Sequence, residues 1–111
     1  MAKSKRIVPQ PIELKELVAY QTGAVVSKTI VETDVGTVTA FAFDENQGLS
    51  EHTAAYDALV IVIDGKVDIR ISGKIFYLEA GQVIMMPANE PHAVKAVTRF
   101  KMLLIMIRAK N

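Results

Sequence analysis

Residues 48–65 read GLSEHTAAYDALVIVIDG, and the fold turns on how this stretch is read. A polar segment with Gly48 and His52 runs into ALVIVI (58–63), six apolar residues in a row. A strand with one wet side alternates, so a run like this needs cover on both faces. Asp64-Gly65 then reads as a hairpin turn. Beyond it VDIRI (67–71) does alternate, with Asp68 and Arg70 between Val67, Ile69 and Ile71.

The pattern continues outward in both directions. Ser72-Gly73 turns into a strand over 74–78, and Gly81 opens a turn into 83–86. PANEP (87–91) is a loop before strands over 92–97 and 100–108. Upstream, VVSKTIVE (25–32) and TVTAFAF (37–43) are rich in β-branched and aromatic residues and flank the turn Thr33-Asp34-Val35-Gly36. Thr39, Phe41 and Phe43 share one face. Residues 44–51, DENQGLSE, read as a polar loop. IELKELVA (12–19) allows two helical turns, with Leu14 and Val18 at i, i+4, and residues 1–11 read as a flexible arm before a single domain over 12–111. The expectation is all-β, a sandwich or barrel of about eight short strands with at most one short helix.

The run MLLIMI (102–107) shares the lack of a polar face with 58–63. In a barrel one face points to the lumen, so the outer face needs another cover. A homodimer supplies it, or residues 12–32 of the same chain do.

Composition narrows the function classes. The 111 residues suit one domain and include no cysteine, which excludes disulfides, thiolate metal sites and cysteine nucleophiles. No apolar run reaches the ~20 residues of a membrane span. Residues 1–11 lack the apolar core of a signal peptide, so a cytoplasmic protein without membrane partners is expected. Net charge is +1, but five of the thirteen basic residues (Lys3, Lys5, Arg6, Arg108 and Lys110) lie at the two ends, with all twelve acids between them. The mildly acidic body speaks against a nucleic-acid surface. No Ser-His-Asp arrangement, phosphate loop or dinucleotide fingerprint is present.

Five positions fall into a joint register: His52, Gly65, Gly81, Pro87 and His92. In that register the chain resembles the cupin superfamily, whose first motif is His, any residue, His, three or four residues, Glu, six residues, Gly. The second is Gly, five residues, Pro, any residue, Gly, two residues, His, three residues, Asn. Ala54 stands at the second histidine, Ala58 at the glutamate, Asn89 at the second glycine and Ala96 at the asparagine. The resemblance implies a double-stranded β-helix or jelly-roll cupin barrel with His52 and His92 in its lumen. It also implies a site of three imidazoles and a carboxylate, suited to Fe, Mn, Ni, Zn or Cu. Two imidazoles and two methyls do not hold a divalent ion tightly, because at least three protein ligands are usual. Asp57 would complete the set only if a bulge re-aimed it, since its parity is that of the opposite face. Tyr56, Glu51, Gln82 and Asn89 are the other oxygen donors nearby.

Three readings follow. One is a small-molecule-binding cupin with a vacant or weak metal site and a pocket of His52, Ala54, Tyr56, Ala58 and His92, few polar groups in an apolar lumen. The second is a metal-dependent dioxygenase, isomerase or decarboxylase using His52, His92 and Asp57. The third is a structural or regulatory dimer with a filled lumen. No catalytic residue is assignable, and the incomplete ligand set leans away from an enzyme. No cofactor is expected, or else one divalent metal (Zn, Fe, Mn or Ni). Met85, Met86, Met102 and Met106 are read as core or lumen lining rather than ligands.

Overall fold

Turn residues decide where the strands reverse. Gly65 adopts φ +79°, and a Cβ there would lie 1.9 Å from the carbonyl oxygen of Arg99, so only glycine fits between the two runs it joins. Gly48 is fixed by proximity instead: a Cβ there would lie 2.2 Å from the carbonyl oxygen of Val94.

The computed structural model describes residues 9–109. Among them are nine strands: β1 (Val25–Thr33), β2 (Gly36–Phe43), β3 (Gly48–His52), β4 (Tyr56–Asp64), β5 (Lys66–Ile71), β6 (Lys74–Glu79), β7 (Val83–Met86), β8 (His92–Ala96) and β9 (Phe100–Arg108). They form an antiparallel five-stranded sheet in the order β1-β2-β9-β4-β7 and a four-stranded sheet in the order β3-β8-β5-β6. This is the all-β jelly-roll that the sequence led us to expect.

Two expectations need correction. Residues 44–51 are not all loop, because β3 begins at Gly48; its polar residues form an edge strand on β8, where tertiary pairing overrides weak strand propensity. Residues 12–19 do not make two helical turns. Only Leu14–Glu16 is helical, as a 3-10 turn without a side-chain cap, and such a short segment cannot offset the cost of nucleation. Residues 1–8 of the expected arm, and Lys110 at the other end, lie outside the described residues.

The inner faces of the two sheets make the main core. Ala58, Val60 and Val62 of β4 meet Val67 and Ile69 of β5, Val94 of β8, and Phe100 and Met102 of β9. Phe41, Phe43 and Phe100 stack in series, with ring centroids 5.8 and 4.8 Å apart. Phe43 and Phe100 are fully buried, and removing either ring is expected to cost about 3–5 kcal/mol.

The outer face of the five-stranded sheet is covered in part by the chain itself. Val18 packs on Ala40 and Ala42, with Leu17, Tyr20, Val26 and Leu103 around them. Tyr20 Oη donates to Asp64 Oδ2 (2.8 Å), and buried Lys101 donates to the carbonyl of Lys15 beneath the Tyr20 ring. Burial first, then the Asp64 hydrogen bond, pushes the Tyr20 phenol well above its ordinary pKa. The other end of this face stays bare. There the cross-strand row Val31–Val38–Ile105–Leu59–Met85 runs over all five strands. Met85 is therefore outside, 52% exposed, and neither core nor lumen lining as the sequence suggested.

Candidate functional site

The site forms where β3 ends and β8 begins. His52 and His92 are directly opposed in the β3–β8 register, and such partners project to the same face of a sheet. Their Nε2 atoms are 3.2 Å apart, with ring centroids at 4.4 Å and planes inclined at 70°. His92 is buried, while His52 is exposed and marks the lumen mouth.

The second nitrogen of each ring is also engaged. His52 Nδ1 lies 2.7 Å from the carbonyl oxygen of Ser50, and His92 Nδ1 lies 3.1 Å from that of Glu90. A carbonyl oxygen only accepts, so each Nδ1 carries the proton it donates. With both rings neutral and protonated at Nδ1, the two Nε2 atoms are then both acceptors 3.2 Å apart, and a hydrogen bond between them needs a further proton on one ring. A proton on His92 is disfavoured: burial lowers its pKa, the Glu90 carbonyl opposes that, and His52 lowers it further.

Around the pair is a cavity of about 40 Å³, room for one water-sized occupant. Ala54, Tyr56 and Ala58 line it. Three thioethers, Met86, Met102 and Met106, line it as well. Tyr56 also borders a hollow of about 280 Å³ outside the mouth, shared with Ala55, Asn89, Arg108 and Ala109. Read as a terminal charge in the sequence, Arg108 thus stands beside the lumen entrance. A larger trough of about 330 Å³, with Asp68, Arg70 and Lys95 on its walls, lies on the four-stranded sheet and shares Leu49 and Val94 with the histidine cavity.

Asp57 does not join the histidines. It is exposed, its Oδ1 accepts from the N–H of Ala88 (2.9 Å), and β4 pairs regularly with β9 at Asp57↔Ile107, with no bulge there to re-aim it. Gln82 is also engaged elsewhere, its Oε1 accepting from Glu79 N–H (2.9 Å). Among the described residues, no three His, Cys, Asp or Glu side chains come together as a metal-binding group. The donors present therefore do not fit the three-imidazole, one-carboxylate site that the motifs imply for a divalent ion. No helix among the described residues is long and apolar enough to cross a membrane.

Fold and site together define a small antiparallel β-barrel protein with a histidine pair at the mouth of its lumen. The cupin domain family matches residues 40–108, and the chain belongs to that family. Solved structures agree. A conserved protein of unknown function from Streptococcus pyogenes aligns with a TM-score of 0.90 at 29% identity, over 100% of this chain and 98% of its own. A cupin superfamily protein from Desulfitobacterium hafniense aligns with a TM-score of 0.89 at 27% identity, over 97% and 100%. A cupin 2 conserved barrel domain protein from Leptotrichia buccalis is 40% identical with a TM-score of 0.84, over 86% of this chain and 47% of its own. Among curated proteins, none matches the chain.

Proposed function

We propose that the protein is a binding cupin rather than a divalent-metal enzyme, and that its lumen receives one small occupant between His52 and His92. One observation carries this reading. Both Nδ1 atoms are committed to backbone carbonyls, so the two Nε2 atoms present a pure acceptor site in an otherwise mainly apolar cavity. Two facing lone pairs 3.2 Å apart repel unless something electron-poor relieves them. The occupant therefore brings an N–H, an O–H or a cation. The cavity takes only a small head group without rearrangement, and methionine walls are the kind that adjust.

The small volume also favours a second reading, in which the lumen is packed core and the protein acts through its surface. One experiment separates the two. Long-range proton–nitrogen NMR spectra of the imidazoles at neutral pH should find both rings protonated at Nδ1. Methanol and formamide, added as probes, should then shift both Nε2 signals, and the His92 response should vanish in His52→Leu. A ring protonated at Nε2 would overturn the acceptor site. Silence toward both probes would favour the filled lumen.

A further inference from the structure

The outer face of the four-stranded sheet carries a trough that the lumen does not use. Alternation along β5 turns Val67, Ile69 and Ile71 into the core and leaves Asp68 and Arg70 outside. Register sets Lys95 of β8 directly opposite Asp68, with Ala93 of β8 and Ile75 of β6 on either side of Arg70. Directly opposed residues share a face, so these five side chains stand together on the outside of the barrel. They line a hollow of about 330 Å³, the scale at which proteins bind small organic molecules. The lumen cavity, at about 40 Å³, is far smaller.

The charges of this trough are unpaired. Asp68 and Lys95 are cross-strand partners of opposite sign, yet they do not close into an ion pair. Among the described residues, neither of them nor Arg70 has a side-chain hydrogen bond or ion pair, whereas Arg99 and Asp44 do close, at 2.9 Å. Arg70 and Lys95 are diagonal neighbours, a spacing of about 7–8 Å that long side chains bridge. A carboxylate between them meets the planar fork of Arg70 with two oxygens and the Lys95 ammonium as a point charge. Asp68 beside it is an acceptor and calls for a donor. Two positive charges and one negative leave a single positive charge in excess. One carboxylate neutralises that excess if the donor facing Asp68 is a hydroxyl rather than an ammonium. The rest of the trough is apolar, with Leu49, Ala93 and the 56% exposed Ile75.

From this we propose that the trough is a second ligand site, outside the barrel, for a small aliphatic hydroxycarboxylate. Arg70 and Lys95 hold its carboxylate, Asp68 accepts from its hydroxyl, and Leu49, Ala93 and Ile75 take its aliphatic chain. The site does not rest on the reading of the lumen. The two hollows have only Leu49 and Val94 in common.

The test is a proton–nitrogen NMR titration of the whole protein with 2-hydroxy-4-methylpentanoate, which reads place and affinity together. Amide shifts should centre on β5, β8 and the middle of β6. Arg70→Gln should weaken binding about tenfold or more, and Lys95→Gln should weaken it several-fold. Both side chains are exposed, so the fold should survive, as circular dichroism would verify. In the unmodified protein the hydroxy acid should bind several-fold more tightly than 4-methylpentanoate, and Asp68→Ala should bring that ratio to about one. Lactate keeps the polar groups without the isobutyl chain and should bind about fivefold or more weakly. Raising salt from about 0.05 to about 0.5 M should weaken binding, because these charges face solvent. Lys28→Gln, an exposed base on β1 in the other sheet, should leave binding unchanged. An unaffected Arg70→Gln, or a hydroxyl preference that survives Asp68→Ala, would overturn the site. Inorganic phosphate binding as tightly as the hydroxy acid would reduce it to an unselective cationic patch. Shifts confined to His52 and His92 would put the ligand in the lumen and overturn the trough, while an absence of shifts in the four-stranded sheet would overturn it with the lumen reading untouched.

Discussion

Asn89 stands where the second motif asks for glycine, and its φ of 67° shows why glycine is asked for. The backbone there is left-handed, and asparagine is among the non-glycine residues that tolerate it best. A β-branched residue does not: Asn89→Val should cost about 1–3 kcal/mol in chemical denaturation, and Asn89→Gly should change little. The two alanines tell a complementary story. Ala54 and Ala58 line the cavity beside the histidines, so the positions of the missing ligands still face the lumen. Ala54→His combined with Ala58→Glu should therefore create tight Zn(II) or Ni(II) binding, measurable by calorimetry. Ala58→Glu alone should lower stability, because it buries a carboxylate without a partner. Failure of the double variant to bind would mean that the four positions do not converge. The histidine pair was legible in the sequence because motif spacing carries strand register. The methionine wall was not. Met85 and Met86 are adjacent, face opposite ways, and differ only in a register that the sequence leaves open.

Among the elements, the strands carried by apolar or β-branched runs were readable, and the polar β3 was not. β3 was hidden because GLSEH has no strand-like pattern and exists by pairing with β8. The N-terminal segment was overread as helix because Leu14 and Val18 share a helical spacing, yet only Val18 is buried. One carboxylate holds several of these connections together. Asp44 accepts from Gly23 N–H (2.6 Å), Glu45 N–H (2.8 Å) and Arg99 Nε (2.9 Å), tying the approach to β1 to the loops before β3 and β9. These contacts, the Gly23 hydrogen bond foremost, hold its pKa down at about 2. An unfolded chain binds that proton nearer pH 3.9, so between the two values the unfolded state carries more protons. The contribution of Asp44 is thus full well above pH 4 and is lost as pH falls through about 2. In acid unfolding followed by circular dichroism, Asp44→Asn should lack this component. An unchanged acid profile would show that the loop contacts do not stabilise the fold.

For the molecule as a whole, the bare end of the outer sheet face sets the next question. Val35, Val83, Met85 and Ile107 are each more than half exposed there, and the row from Val31 to Met85 carries no charge. A two-fold interface sets a patch against itself, and the uncharged row suits a second copy of the chain, with Asp57, beside Leu59 and Ile107 on the same face, as the nearest charge. Five strands about 4.8 Å apart by six residues of strand give a flat footprint of roughly 500 Å² before side-chain relief. That is the right order for the ~800 Å² per partner of a standard interface. A hollow of about 220 Å³, walled by Val31, Val35, Val38, Ile105 and Ile107, lies across the face from Met85. An axis near Ile105 and Leu59 would seat Met85 of each copy in the hollow of the other. We therefore expect a dimer in sedimentation velocity that Met85→Glu converts to folded monomer. A monomeric unmodified protein, or a dimer indifferent to this change, would rule the arrangement out.

Strand β9 gives Met102, Leu104 and Met106 to the cavity, and the side chains between them, Leu103 and Ile105, to the outer face. One strand is thus a wall of two compartments. If filling the lumen strengthens self-association by some factor, self-association must strengthen filling by the same factor, because the two equilibria close one thermodynamic cycle. A protein of this size could then report the state of its interior at its surface with no moving part beyond a single strand.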